Sequence, residues 1–476
     1  MGNGQRDLLR VRETVTVSLT LSSCLRIVLF EDFKVMLTGW RAAMGRFCNK
    51  SLANGFQAIV VCCVCCAVSS AYGENWPQWR GVNGNGVSGE TALPLRWSAT
   101  ENIQWRLALP GPGGATPCIW DDHIFVTTVV GDDLVLLAIS TEGKELWRRK
   151  VSQGDKIVRG DEGNAASPSP FTDGKHVWVF FTNGALACYD FSGKEVWSLN
   201  VQDRFGKFKI AFGMTSTPIL DGDRIFLQLI HGDGNAQTRE ARVVALEKMT
   251  GKTIWETGRP SSARAENEHS YASPTIYRDK ERSFLLTHGA DYIVAHDLQD
   301  GHEIWRCSGL HPPAGYDPTL RFVSSPLAIK GLIVVPSAKA GITLALKPTG
   351  QGDITGKQEF VKWQFHITPD VPSPLAVDGI VYLCRQNGNL IALDQESGEQ
   401  FYEQRTNRDR HRASPVYADG KIYLCGRNGV VSVCKPGKEF ELLAQNKLEE
   451  PLSASPAVSQ GHIYLRTFNA LYCIGE

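Results

Sequence analysis

A Ser/Thr-Pro step returns eight times along the chain, at Pro117, Pro168, Pro218, Pro274, Pro326, Pro374, Pro415 and Pro456, at intervals of 51, 50, 56, 52, 48, 41 and 41 residues. Self-similarity of this kind constrains a fold more tightly than composition does, because each unit has to bury its apolar faces against a copy of itself. After each step come a short apolar stretch, a turn such as Asp173-Gly174, Asp221-Gly222, Asp378-Gly379 or Asp419-Gly420, and a β-rich run such as Ile422-Tyr-Leu-Cys425. Two β-runs joined by Asp-Gly form a hairpin, since glycine supplies the positive φ that a tight turn needs. A third run follows, Leu390-Ile-Ala-Leu-Asp394 in the clearest copy, then a turn such as Ser397-Gly398 or Thr250-Gly251-Lys252. The fourth run carries a tryptophan at Trp147, Trp197, Trp255, Trp305 and Trp363. Four short antiparallel strands in each repeat describe one blade of a β-propeller.

The third strand keeps a slot for a small residue, filled in order by Ala138, Cys188, Ala245, Ala295, Ala345, Ala392, Val433 and Cys473. Cysteine there acts as a small hydrophobe, so Cys188 and Cys473 belong to the core. The eighth repeat runs through Ile463-Tyr-Leu465 and Leu471-Tyr-Cys-Ile474 and ends before any tryptophan strand. Upstream of the first repeat, Asn102-Ile-Gln-Trp105 has the form of that missing strand. Pairing it with the last blade removes an exposed sheet edge and ties the two ends of the ring together. The expected fold is therefore all-β: an eight-bladed propeller of four-stranded antiparallel blades over residues 102–476, closed by an N-terminal strand in the last blade.

The apolar run from Phe56 to Val68, preceded by Arg46 and Lys50 and followed by Ser69-Ser70-Ala71, has the make-up of a secretory signal peptide. It is short for a membrane span, so no integral span is expected. Signal peptides begin at an initiator, and Met44 supplies one. The expected organisation is an N-terminal extension at 1–43, a signal peptide at 44–71, a strap at 74–101 and the propeller beyond, in a protein exported to the periplasm or an equivalent compartment. The chain carries 50 basic and 50 acidic residues, and without residues 1–71 it retains 42 and 46, close to −4. Bulk charge thus argues against nonspecific nucleic-acid binding. Seven of the 13 cysteines lie past the leader, with no CxxC pair and no metal-ligand spacing.

The segment Val243-Val-Ala-Leu-Glu-Lys-Met-Thr-Gly-Lys-Thr-Ile-Trp255 resembles the repeat of PQQ-like propellers, and the resemblance covers nearly everything after residue 100. That superfamily includes quinoprotein alcohol dehydrogenases and the propeller subunit of the outer-membrane protein assembly machinery. The segments Asn75-Trp-Pro-Gln-Trp-Arg-Gly81, Ala166-Ser-Pro-Ser-Pro170, His269-Ser-Tyr-Ala-Ser-Pro274 and Leu471-Tyr-Cys-Ile-Gly475 are similar to those of an exported PQQ-like family abundant in planctomycetes. The resemblance implies a choice between two activities. A quinoprotein dehydrogenase would hold PQQ over the axis with a stacked tryptophan, an adjacent-cysteine disulfide, calcium ligands and an aspartate base. The adjacent cysteines here, Cys62-Cys63 and Cys65-Cys66, fall in the expected leader, and no spacing among Asp161, Glu162, Glu266, Glu268 and Asp291 specifies calcium. GxSxG, HExxH and P-loop motifs are absent from the sequence. The expectation is a non-catalytic, monomeric binding or assembly scaffold with no cofactor, and PQQ with calcium is the alternative.

Strand order names the binding face. In a blade of alternating strands, the second-to-third turn and the link to the next blade share one face, and the Asp-Gly hairpins occupy the other. The links contribute Arg159, Arg204, Lys207, Lys209, His269, Arg321, Arg410 and Arg412; the turns contribute His231, His288, Lys339, Arg385, Arg427 and Arg466. Against Asp161, Glu162, Glu268, Asp291 and Asp370, this face is basic in a chain whose remaining charge is slightly negative. The expected ligand is an anionic small molecule or polymer, or an acidic protein surface, held by His269, Arg321, Arg385 and Arg412. His269 is either a proton carrier in the channel or a neutral ring satisfying loop backbone. The pair Trp76 and Trp79 is either a carbohydrate or cofactor platform or a strap packed on the propeller.

Overall fold

A computed structural model describes residues 73–154, 164–232, 241–311 and 315–476 of the chain. Residues 1–43, expected as an N-terminal extension, residues 44–71, expected as a signal peptide, and the loop residues Arg159, Asp161 and Glu162 lie outside the described residues. The described residues form eight antiparallel sheets, seven of them four-stranded. The fourth blade alone takes a fifth strand, the two-residue Gly352–Asp353, in parallel pairing. The blades span 118–153, 171–200, 219–258, 275–307, 327–365, 375–405 and 416–447, and the eighth joins three C-terminal strands to Ile103–Ala108. That N-terminal strand pairs with Ala470–Ile474, Trp105 opposite Cys473, so the ring closes as the strand count required.

Burial explains which residues each strand can hold. The second and third strands are buried along nearly their whole length, as in His123–Val130 and Asp133–Ser140, while the outer fourth strand alternates. Each small third-strand residue lies directly across from a fourth-strand position: Ala138 faces Trp147, Cys188 faces Trp197, Ala245 faces Trp255, Ala295 faces Trp305 and Ala345 faces Trp363. A bulge follows each of these pairs. The bulge twists the outer strand, and the indole lies over the next blade. There it meets a turn glycine: a Cβ on Gly193 would press on Trp147, one on Gly251 on Trp197, and one on Gly301 on Trp255. The indole N–H of Trp147 donates to Phe191 O at 2.8 Å and that of Trp363 to Gln395 O at 2.9 Å, again in the following blade. The tryptophans are blade-to-blade joints, and the Thr-Gly and Ser-Gly turns lack a side chain because an indole fills the place.

The Ser/Thr-Pro step has its own role, and the structure shifts one copy of it. Going round the ring, the backbone N–H before each proline donates to the hydroxyl of the next blade: Thr116 to Ser169, Ser169 to Thr217, Thr217 to Ser273, Ser273 to Ser325, Ser325 to Ser373, Ser373 to Ser414, and Ser414 to Ser455, at 2.8 to 3.1 Å. Thr116 closes the circle by donating its hydroxyl to Ser455 O. The second copy is therefore Ser169-Pro170, two residues beyond the expected Pro168. Ser167 instead ties down its own loop through Asn164 O at 2.7 Å.

Residues 74–101 pack on the propeller as a strap. Trp76 is fully buried, pairs with Ile119 of blade 1, and packs under Gly81. Trp97 stacks on Tyr423 of blade 7, and Trp79 stays half-buried. Among the described residues no helix is long and apolar enough to cross a membrane.

Candidate functional site

The links and second-to-third turns of blades 3 to 7 enclose a cavity of about 500 Å³ at one mouth of the channel. Four basic side chains line it: Arg321, Lys339, Arg410 and Arg412. The lining holds one carboxylate, Asp370, and one carboxamide, Gln386, with Phe212 and Tyr271 on the wall. Arg321 lies 4.3 Å over the Phe212 ring, a cation–π contact that helps to hold the guanidinium in place. Phe212 meets Tyr271 edge-on at 5.6 Å. The guanidinium of Arg321 also bonds Glu266 at 2.9 Å, with both side chains about one-third exposed. Arg412 donates to Gln386 Oε1 at 3.2 Å.

Two of the four expected site residues, Arg321 and Arg412, meet in this cavity. His269 is half-buried beside it, at the end of the 3₁₀ turn Ala265–Glu268. Burial holds its imidazole below the ordinary range, against the opposing pull of Glu266. Its ring donates a hydrogen bond to the Lys209 backbone carbonyl, which works in the same direction as Glu266. Arg385 is not in the lining: it turns to the outer strand and pairs with Glu403 at 3.1 Å. Its neighbour Gln386, in the turn between the second and third strands, lines the cavity instead.

Several residues assigned to the basic face belong to the interior. Arg466 is 1% exposed, wedged between the last blade and the first, and donates to Thr127 O and Thr467 O. His231 and His288 are fully buried, and burial beside Arg259 lowers His288 to about 3, so it is neutral. Arg204 is committed to Gly251 O at 2.6 Å and Lys207 to Asp203 at 2.9 Å. Of the described basic residues assigned to this face, Arg321, Lys339, Arg410 and Arg412 are the ones that line the cavity. Phe212 and Tyr271 were not singled out from sequence, because an aromatic residue in a link reads as packing until its cation is placed over it.

The cavity offers few of the groups that the calcium–quinone alternative implies: no tryptophan lines it, and its carboxylate and carboxamide are Asp370 and Gln386. The seven described cysteines are free and buried, and burial pushes each thiol upward, Cys307 to about 11. Elsewhere Asp297, Asp300 and His302 meet in an exposed turn of blade 4, where backbone N–H groups and His302 itself already engage the carboxylates.

A family model described as outer membrane protein assembly factor BamB matches residues 89–232 and 231–359. The protein of that name from Moranella endobia is 24% identical over 210 residues, which is 44% of this chain and 45% of the relative, so the match spans less than half of that protein. Among solved structures, BamB from Moraxella catarrhalis covers 78% of this chain and 98% of its own at 14% identity, with a TM-score of 0.57. A europium-containing methanol dehydrogenase matches at 12% identity with a TM-score of 0.66, over 83% of this chain and 90% of that one. A quinohemoprotein alcohol dehydrogenase from Comamonas testosteroni matches at 14% identity with a TM-score of 0.59, over 84% and 81%. At such identities these structures speak for the fold. With the model matching more than half of its length, the chain belongs to the PQQ-like β-propeller repeat family described as outer membrane protein assembly factor BamB.

Proposed function

We propose that this chain is an exported, non-catalytic propeller that binds an acidic partner surface or anionic ligand at the open mouth of its channel. The observation that carries the reading is the composition of the 500 Å³ cavity, in which Arg321, Lys339, Arg410 and Arg412 stand against Asp370. A concave site focuses the field of its charges, so a small local excess acts more strongly there than on a convex surface. The description of the BamB relatives as outer membrane protein assembly factors agrees with a protein partner for such a mouth. His269 lies beside the site, while Arg385 is turned to Glu403 on the outer strand.

The test uses a fluorescein-labelled decaglutamate peptide and fluorescence anisotropy. Binding is expected at low ionic strength, weakening as salt rises, and falling at least tenfold in Arg321→Ala/Arg412→Ala. Salt-independent binding, or binding unchanged in the double variant, would overturn the reading. Retention of quinone absorbance after desalting from PQQ and calcium, together with dye-linked alcohol oxidation, would establish the oxidoreductase instead.

A further inference from the structure

The opposite mouth is finished differently, and a second cavity lies there. The strap hydrogen-bonds to blade 1 through Trp76 and Ile119, to blade 2 through Pro77 O and Thr172, to blade 6 through Arg80 and Pro374 O, to blade 7 through Gly86, Ser88 and Tyr417, and to blade 8 through Glu90 and Gly461. Among the described residues no hydrogen bond joins it to blades 3, 4 or 5. Between the strap and those three blades it leaves a cavity of about 400 Å³. The wall on the strap side is preorganised: Gly81 N bonds Gln78 O, Gly84 N bonds Gly81 O, and Gly86 N bonds Arg80 O, at 3.0 to 3.1 Å. Arg80 is buried and anchors this turn at Asn85 O and Pro374 O.

We propose that this cavity is a binding site for a neutral sugar ring, with Trp79 as its stacking platform. Trp79 lines the cavity half-buried, and among the described residues no hydrogen bond engages its indole N–H. An indole face accepts the C–H side of a pyranose while its N–H remains to bind a hydroxyl. The carboxamide of Asn83, at the lip, offers a donor and an acceptor to adjacent hydroxyls. The floor is made by Thr217 and Ser273, whose hydroxyls accept the backbone N–H of the preceding blade and keep their own O–H to donate. The charged pair in the lining, Arg278 with Asp221, is joined through both terminal guanidinium nitrogens at 2.9 to 3.2 Å and so presents a neutral fork of donors and acceptors. Lys330 is exposed at the edge. An aromatic platform in a lining that mixes apolar residues such as Ile219, Ile276 and Ile329 with donors and acceptors matches the C–H and O–H faces of a polyhydroxylated ring better than an anion, which would leave the acceptors unused, or an apolar ligand, which would strand the donors.

Saturation-transfer difference NMR with cellobiose, maltose and chitobiose, each on the order of 10 mM to reach weak sites, tests the site on the intact protein. Transfer to ring protons of at least one disaccharide is expected. Trp79→Ala should reduce its affinity about tenfold, the loss of one aromatic stacking contact. Asn83→Ala, at an exposed strap position, provides a second variant that leaves the buried strap contacts in place, and several-fold weakening is expected. Arg321→Ala at the other mouth should leave the sugar signal unchanged. Absence of transfer from all three sugars, or transfer that survives both strap substitutions, would overturn the proposal.

Discussion

At one end of the channel a non-repetitive strap lies across the blades and is bonded to five of them; at the other, links between blades stand around an open, basic cavity. The first end is built from residues far apart in sequence, Trp76 on Ile119 and Trp97 on Tyr423, and one of its two arginines, Arg80, is sunk among carbonyls. The second is built from residues that each blade supplies on its own. The difference separates stability from recognition within one ring: the strap end couples the chain's first described segment to its last blades, whereas the mouth can vary without disturbing a blade.

The largest effect that can break this comparison is removal of the strap end. Deleting residues 74–108 takes away both the strap and the outer strand of blade 8, leaving the edge of Ala470–Ile474 unpaired. Loss of the cooperative thermal transition is expected by differential scanning calorimetry. Deleting 74–101 alone keeps the closing strand and should leave a cooperative transition at a lower Tm, since the buried Trp76, Leu93 and Trp97 are lost. If both deletions melt like the full chain, neither the strap nor the closing strand stabilises the ring.

A joint between blades is next in size. Trp305 is fully buried, packs edge-on against Phe284 at 5.9 Å and covers Gly350. Trp305→Ala should cost about 3–5 kcal/mol in urea unfolding, as large-to-small substitutions in a close-packed core do. A loss below about 1 kcal/mol would mean that this joint is loosely packed.

Acid should reach the interior beneath the mouth. Burial depresses His288 to about 3 and His296 to about 4, each with a further contribution from Arg259. Both pKa values lie below the unfolded-state value, so the unfolded chain binds more protons across the interval between them and stability falls as pH drops from about 6.5 toward 4. Each histidine contributes roughly 1.4 kcal/mol per pH unit inside that window. Carboxylates such as Asp173, held low chiefly by Lys248 and by backbone N–H donors, lose their contribution at lower pH, below the usual carboxylate range. Urea midpoints measured from pH 7.5 to 4.5 should therefore decline, and the decline should be shallower in His288→Leu. An identical slope in that variant would show that His288 is not the titrating group.

The blades were legible because their signal repeats: the small residue, the turn glycine and the tryptophan recur together, and the register Ala295 opposite Trp305 follows from packing one inside the other. The hydrogen-bonded ring was legible only as a spacing. Its bonds run between residues 41 to 56 apart, and where two Ser-Pro steps stand side by side at Ser167 and Ser169, spacing cannot tell which faces the neighbouring blade. The mouth was legible in part, because strand order assigns a face but not a depth. Arg466 and Arg321 both lie on loops assigned to the mouth, yet one is wedged between blades and the other reaches the cavity. The placement of the strap had no repeat to betray it.

The smallest effect on stability and the sharpest on recognition comes from Glu266. Its bond to Arg321, between side chains about one-third exposed, is of a kind that contributes about 0–1 kcal/mol, so Glu266→Gln should leave Tm nearly unchanged. The same carboxylate competes with any anion for the Arg321 guanidinium, which cation–π contact with Phe212 holds in place. Neutralising it keeps the size of the side chain and releases positive charge toward the cavity. Decaglutamate should then bind several-fold more tightly to Glu266→Gln than to the unmodified chain, with a steeper dependence on salt, whereas Arg321→Ala weakens it. Opposite signs for the two partners of one ion pair are hard to obtain from a structural defect, which would weaken binding in both. If Glu266→Gln also weakens the peptide, the carboxylate serves to orient Arg321 rather than to oppose the ligand.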